Sequence, residues 1–325
     1  MKKIEKYLKN ISELIEFCKK EDYIYIQPHN FPDHDAVASA FALQEFFKHF
    51  EIASKIVYDG EIQRDSLKQL IKELEIELFH INYSFMKDHH KIILVDGSKG
   101  NSNVTDFVGD EIGVIDHHEV KALEDIEFSD IRSNYGACCS IIYDYYKEYN
   151  IELSKKVATA LMIGINVDTA MLTRKVHEKD LFAFVNCYKN ADMDFVNYHL
   201  RNSIKTKDLN FYKFLLEHFT QFKHTVFCYF PNGCDQNLLG ILSDFMLTIK
   251  EVNTVMLCAK NNGKINISMR NEKKGINLSK IILQLIDGIG LGGGHENMAG
   301  GIIFDYRDFN EEKMKKEYFA LFANI

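Results

Sequence analysis

Apolar and charged positions over residues 4–19 alternate at helical spacing, which predicts an amphipathic helix. The stretch from Tyr23 to Gln27 is short, aromatic and β-branched, and reads as a strand. It runs into His29-Asn30-Phe31-Pro32-Asp33-His34-Asp35, after which Ala36–Phe50 returns to helical spacing. Further strands are predicted at Lys55–Tyr58, Lys91–Asp96 and Ile112–Asp116, and helices at Asp65–Glu73, Ala137–Tyr149 and Ser154–Ile165. Strands alternating with helices predict an α/β fold, a parallel sheet with helices on both faces. From Asn186 to Phe222 the pattern is helical and rich in charge and aromatics, as in a connecting region. Beyond it, strands are predicted at Thr225–Phe230, Thr254–Ala259, Ile265–Arg270 and Gly301–Phe304, with helices at Gln236–Phe245, Leu278–Ile286 and Asn310–Ala323. The expected organisation is a first domain over 1–185, a helical linker over 186–222 and a smaller α/β domain over 223–325.

Composition narrows the picture. A chain of 325 residues exceeds what one core usually supports, so two domains are expected. The apolar fraction of 46% and charged fraction of 26% are those of an ordinary globular protein. A formal charge of −8 argues against general binding of long nucleic acid, whose affinity comes mainly from Lys and Arg on phosphates. A small anionic substrate fits if bound cations invert the local field. The seven cysteines show no CxxC spacing, and the Cys138-Cys139 pair suits neither zinc nor a routine disulfide. With no apolar signal-like segment, they read as reduced thiols in a cytoplasmic protein. No run approaches the roughly 20 apolar residues of a membrane span.

Four places in the first domain put Asp or His just after an apolar stretch. They are His29, Asp33 and Asp35 after Tyr23–Gln27; Asp96 after Ile92-Ile93-Leu94-Val95; Asp116-His117-His118 after Gly113-Val114-Ile115; and Asp168 after Leu161–Ile165. Ligand sites of open parallel sheets lie beyond the carboxyl ends of the strands, so four acidic strand ends are expected to converge on one crevice. So many carboxylates cannot all stay ionised together without cations. Mixed carboxylate and imidazole ligands without thiolate suit Mn²⁺, with Mg²⁺ as the alternative. The set is large enough for two ions about 3.5–4 Å apart, the spacing of phosphoryl-transfer sites.

The tripeptide Asp88-His89-His90 repeats the Asp-His-His sequence but precedes a strand. A strand of about six residues at ~3.3 Å each puts it ~20 Å from Asp96, and it reads as an exposed loop. His34 lies between two acids that point together as a pair, so it is expected to point elsewhere. In the second domain, Gly290-Leu291-Gly292-Gly293-Gly294-His295, followed by Gly300-Gly301, reads as a loop whose N–H groups approach an anion. Arg270, ending a predicted strand, would add a planar phosphate donor.

Together these motifs resemble the DHH phosphoesterase superfamily with its associated DHHA1 domain. His29-x-x-x-Asp33-x-Asp35, Asp96, Asp116-His117-His118 and Asp168 stand in that family's order, and Arg270, Gly292-Gly293-Gly294-His295 and Gly300-Gly301 match the DHHA1 pattern. The resemblance covers nearly the whole chain, and the DHHA1 end separates it from the family's inorganic pyrophosphatases. The subgroup it most resembles is the compact nano-RNase and pAp-phosphatase type. His34 departs from the more usual Gly of that subgroup and Met298 from Ala, which bears on substrate choice.

The resemblance implies a metal-dependent hydrolase with two divalent cations and a metal-activated water. His29, Asp33, Asp35, Asp96, His117 and Asp168 would be the metal ligands, with Asp96 bridging. Asp96, Asp116 and His118 would be the catalytic residues, Asp116 by orienting a His of its own motif. His118, Arg270, Gly292, Gly293, Gly294 and His295 would bind substrate. The implied substrates are short single-stranded RNA or DNA, dinucleotides and 3′-phosphoadenosine 5′-phosphate, with no duplex and no membrane; a homodimer is compatible with this. Alternatives within the same chemistry are a linear or cyclic dinucleotide phosphodiesterase and an exopolyphosphatase. A nucleotide sensor without turnover is the alternative from another class.

Overall fold

The computed structural model describes residues 8–62, 64–101, 103–119, 125–201, 204–294 and 296–323. They form two compact units, Met1–Ser203 and Ile204–Ile325. Among the described residues, no helix is long and apolar enough to cross a membrane.

The first unit runs α1 (Ile11–Cys18), β1 (Ile24–Pro28), α2 (His34–Lys48), β2 (Ser54–Tyr58), α3 (Asp65–Glu73), β3 (Leu78–His80), β4 (Lys91–Val95), β5 (Asp110–Asp116), β6 (Phe128–Ile131), α4 (Cys138–Glu148), α5 (Lys155–Asp168), α6 (Glu178–Tyr188) and α7 (Met193–Arg201). Its six strands pair in the order β3-β2-β1-β4-β5-β6, and every pairing is parallel. The central strands are apolar on both faces, as a covered parallel sheet requires. Ile24, Ile26, Ile93 and Val95 pack toward α2, α4 and α5, whose small residues (Ala38, Ala42, Ala158) admit close helix contact. Tyr25, Ile92, Leu94 and Val114 face the other way, against Phe107, Ile126, Ile81 and Met86. That second face is therefore covered by connecting segments and a 3-10 turn over Ile81–Tyr83, while the α-helical layer lies on the first. The reason lies in the connections: the segments leading into and out of β4 carry no α-helix.

The second unit runs α8 (Leu209–His218), β7 (Thr220–Phe222), β8 (Thr225–Phe230), α9 (Gln236–Leu247), β9 (Thr254–Asn261), β10 (Lys264–Asn271), α10 (Leu278–Leu285), β11 (Gly290–Gly294), β12 (Met298–Ile303) and α11 (Glu311–Leu321). Its sheet, ordered β11-β12-β10-β9-β8-β7, is mixed: β8 and β9 run parallel and the other pairs antiparallel. Here helices do cover both faces, α8 and α9 on one and α10 and α11 on the other. The stretch 186–222 contributes α7 to the first unit and α8 and β7 to the second.

Candidate metal centre

In the first unit the chain builds β1, β2 and β3 outward in one direction, then returns to lay β4 and β5 on the other side of β1. This reversal makes the carboxyl ends of β1 and β4 a topological switch point, the place where such sheets bind ligands. The strands end level, with Pro28 opposite Val95 and Val95 opposite Ile115. The residues that follow, His29, Asp96 and Asp116-His117-His118, therefore emerge side by side. Asp96 leaves its strand in the left-handed region, φ 57°, with its N–H donating to Ile115 O at 2.9 Å. A non-glycine residue held there is uncommon, and such conformations cluster at functional sites.

All six expected ligands, together with His118, fall into overlapping groups whose ligand atoms lie within 4.8 Å of one another: His29, Asp33 and Asp96; Asp35, His117 and Asp168; and Asp96, His117 and His118. In the first group, His29 Nε2 stands 3.7 Å from Asp96 Oδ2 and 3.9 Å from Asp33 Oδ1. In the second, His117 Nε2 stands 3.3 Å from Asp168 Oδ2, 3.8 Å from Asp35 Oδ2 and 3.3 Å from Asp96 Oδ1. Asp96 thus offers one oxygen to each group.

The donor set fits divalent cations on evidence internal to the chain. His29 Nδ1 lies 2.9 Å from Asn30 O and His117 Nδ1 3.2 Å from Tyr135 O. Each ring donates through Nδ1 to a carbonyl, which leaves Nε2 with its lone pair toward the carboxylates, the tautomer of a metal-ligating His. His117 Nε2 and Asp96 Oδ1 are buried, 3.3 Å from each other, and make no hydrogen bond to any other described residue. Buried polar atoms are rarely left so, and an ion is a common explanation. Nitrogen and carboxylate donors suit Mn²⁺ or Mg²⁺.

The electrostatics agree. Burial and the carboxylates of Asp96 and Asp168 hold the Asp35 carboxyl well above its ordinary range. Burial also pushes Asp168 up, to about 6, although His117 opposes it. Burial alone would lower His117, but Asp96, Asp168 and Asp35 outweigh it and raise it well above the usual His value. Protons and cations therefore compete for one cluster.

Residues 23–165 match the DHH family, N-terminal domain, and residues 203–322 match the DHHA1 domain. The chain carries a DHH-family domain followed by a DHHA1 domain. Its DHH domain carries the clustered carboxylates and imidazoles, and members of the family are metal-dependent phosphoesterases. The chain is 27% identical over 286 residues to an uncharacterised protein of Methanocaldococcus jannaschii, covering 88% of this chain and 59% of that one. It is 25% identical over 175 residues to a probable manganese-dependent inorganic pyrophosphatase of Lactiplantibacillus plantarum, 53% of this chain and 56% of the relative. The chain thus spans little more than half the length of either relative. An exopolyphosphatase-related protein from Bacteroides fragilis shares the fold, with a TM-score of 0.78 at 17% identity, covering 96% of this chain and 97% of that one.

Within the DHH domain, the structure corrects one placement. Asp168 was counted among four acidic strand ends although a helix was expected over Ser154–Ile165; that helix is present as α5, and Asp168 is its last residue. Asp33 is the N-cap of α2, accepting from the N–H groups of Asp35 and Ala36 at 3.0 and 3.1 Å. Asp116 is fully buried below the cluster. It accepts from Ser98 Oγ at 2.7 Å and from His118 Nδ1 at 2.8 Å. His34 points away from the cluster, with Nε2 3.1 Å from Ser66 Oγ and its ring 5.2 Å from that of His199. Asp88 and His89 lie on an exposed turn, as expected of the repeated tripeptide.

The DHHA1 unit departs more from expectation. The glycine run is no loop: Gly290–Gly294 forms edge strand β11, with Gly292 opposite Gly301 on β12. A Cβ on Gly292 or Gly301 would stand 2.9 or 3.0 Å from Ile282 Cγ1, so these glycines let α10 lie directly on the sheet. Gly293 has open space where its Cβ would be, and Gly294 sits at φ 142°. Arg270 is buried, its Nε donating to Asp244 Oδ1 at 2.6 Å and Nη1 to Met269 O at 3.0 Å. His295 lies outside the described residues.

Several supporting residues escape a reading by motif. The backbone N–H groups of Cys138 and Cys139, at the start of α4, donate to Asp35 at 2.6 and 2.9 Å, so the adjacent cysteines matter through their backbone. Gly164 on α5 faces them: a Cβ there would stand 2.4 Å from Cys139 Sγ and 3.2 Å from Asp35 Oδ1. A glycine inside a helical apolar run was the available signal. Just after Asp168, Ala170, Met171 and Leu172 take φ values of 48°, 58° and 59°. Three successive left-handed residues cost roughly 1–2 kcal/mol each. The turn is closed by Met171 N to Asn166 O at 2.7 Å and Arg174 N to Thr169 O at 2.9 Å.

Proposed function

We propose that this protein is a two-cation phosphoesterase that hydrolyses short oligonucleotides, including dinucleotides, and 3′-phosphoadenosine 5′-phosphate. The observation that carries the reading is Asp96, whose two carboxylate oxygens each face a different cluster of candidate ligands. His29, Asp33 and Asp35 would serve with Asp96, His117 and Asp168 as the ligands. Cations held there, Mn²⁺ before Mg²⁺, would supply Lewis acidity to the phosphate and acidify the attacking water. The chain's own part is to fix geometry. His29 and His117 are locked by their Nδ1 bonds, Asp35 by two backbone N–H groups and Asp116 by Ser98. His118, oriented by Asp116 and about one-third exposed, would donate to the phosphate rather than ligate. Arg270, Gly292, Gly293, Gly294 and His295 would form an anion-binding element of the DHHA1 unit. A second reading, hydrolysis of inorganic polyphosphate, draws support from the pyrophosphatase likeness of the first domain. Chromatographic product analysis with Mn²⁺ tests both: dinucleotide RNA, longer RNA, 3′-phosphoadenosine 5′-phosphate, a cyclic dinucleotide and polyphosphate are offered in parallel. Mononucleotide release from the shortest RNA is expected. Turnover of polyphosphate alone would replace the first reading with the second.

A further inference from the structure

Phe31 lies between two candidate ligands, His29 and Asp33, two residues from each. Two rules of local structure fail at this position at once. The backbone is left-handed, φ 53°, which disfavours any side chain and a bulky one most. The side chain is 54% exposed, so the ring gains little from burial. An exposed Phe alone is unremarkable. An exposed Phe in a backbone conformation that suits Gly or Asn, inside the candidate site, is a departure of the kind expected where function overrides stability.

The surroundings hold this conformation firmly. Phe31 N–H donates to Asp59 O at 3.0 Å. Asn30 Nδ2 donates to Thr105 Oγ1 at 2.9 Å, and Thr105 Oγ1 in turn donates to Asp59 Oδ2 at 2.6 Å. Asn30 Oδ1 accepts from Thr105 N–H at 3.2 Å. The ring itself is seated on Gly60: a Cβ there would stand 2.9 Å from Phe31 Cγ and Cδ1. Gly60, at φ 79°, leaves the space the ring occupies. The outcome is a supported, part-exposed aromatic surface whose Cα lies within about 7 Å of those of two candidate ligands. The side chain of Asp33, one-third exposed, opens from the same short loop.

We propose that Phe31 is a specificity-determining residue, a stacking platform for the nucleobase attached to the phosphate under attack. This rests on the proposed phosphoesterase reading and names its substrate class: esters that carry a base close to the scissile phosphate, in preference to inorganic phosphate chains. Stacking accepts every base, because each has a π-face, so the platform would select nucleotides without selecting their sequence.

The test uses the full chain loaded with Mn²⁺, as wild type, Phe31→Asn and Phe31→Tyr. The substrates are a dinucleotide and its abasic analogue, with polyphosphate offered alongside, and the readout is the ratio of the two nucleotide kcat/KM values. Asn tolerates the left-handed backbone, so Phe31→Asn removes the ring without new strain. A Tm at or above that of wild type would show that any loss is not unfolding. The ratio is expected to fall by roughly 5- to 100-fold in Phe31→Asn and to stay near wild type in Phe31→Tyr. An unchanged ratio in Phe31→Asn, with wild type active on the dinucleotide, would overturn this role and leave the phosphoesterase reading standing. Wild type that turns over polyphosphate and neither nucleotide would overturn both.

Discussion

The DHH domain contains the sequence Asp-His-His twice. Asp88-His89-His90 precedes β4, and Asp116-His117-His118 closes β5. The side chain of Asp88 is 90% exposed and that of His89 66%, whereas Asp116 is fully buried and His117 retains 9%. His90 packs beside Tyr23 and Tyr25, and its Nδ1 accepts from Lys87 N–H at 2.9 Å. His117 instead faces three carboxylates. Residue type is the same in both places. What differs is the end of the sheet, and only the carboxyl end at the switch point gathers charges from several strands. The chemistry therefore belongs to the meeting of β1, β4, β5 and α5, and a tripeptide by itself carries little of it.

Substitutions can break this contrast. The largest effect is expected for Asp96→Asn, which removes the carboxylate shared by both groups. Its kcat/KM should drop by far more than tenfold, since tenfold is only ~1.4 kcal/mol of barrier. A smaller loss would contradict the shared role. Ser98→Ala leaves buried Asp116 Oδ2 without its donor at 2.7 Å and so loosens His118; kcat/KM should fall by about 10- to 100-fold, with Mn²⁺ affinity in a calorimetric titration close to that of wild type. Gly164→Ala should lower stability to denaturant by about 1–3 kcal/mol, because the new Cβ collides with Cys139 Sγ, and should lower metal occupancy through Asp35. His89→Ala is expected within about 0.5 kcal/mol of wild type in stability, with activity unchanged. Strong inactivation by it would mean that the exposed tripeptide has been misjudged.

Acid provides a further test. His117 is raised well above the usual His value once burial, which opposes the shift, is outweighed by Asp96, Asp168 and Asp35. Its proton must leave before a cation binds, so affinity falls as pH falls below that raised value and recovers above it. Titrations of Mn²⁺ in buffers of different ionisation enthalpy should show proton release on binding. Binding without proton release at neutral pH would argue that His117 is no ligand.

Much of this was legible in the sequence. Elements such as β8 and α3 carry their apolar run or their period openly, and their ends coincide with the expected bounds. The short edge strands β3 and β6 do not, because three or four residues with few apolar positions resemble a turn. The glycine strand β11 was hidden for a different reason. Glycines at Gly292 and Gly301 answer the close approach of Ile282, a tertiary fact that composition reads as a loop. In the site, side-chain ligands announce themselves by type. The supports do not, since Cys138 and Cys139 act through backbone N–H groups and Gly164 through the atom it lacks.

The central claim is that one carboxylate, Asp96, joins two cation sites. Electron paramagnetic resonance of the Mn²⁺-loaded protein, with metal content measured on the same sample, tests it most directly. The account predicts two manganese ions per chain with the spectrum of an exchange-coupled pair in wild type, and loss of that coupled signal in Asp96→Asn. A single uncoupled ion in wild type, or a coupled pair that survives Asp96→Asn unchanged, would contradict it.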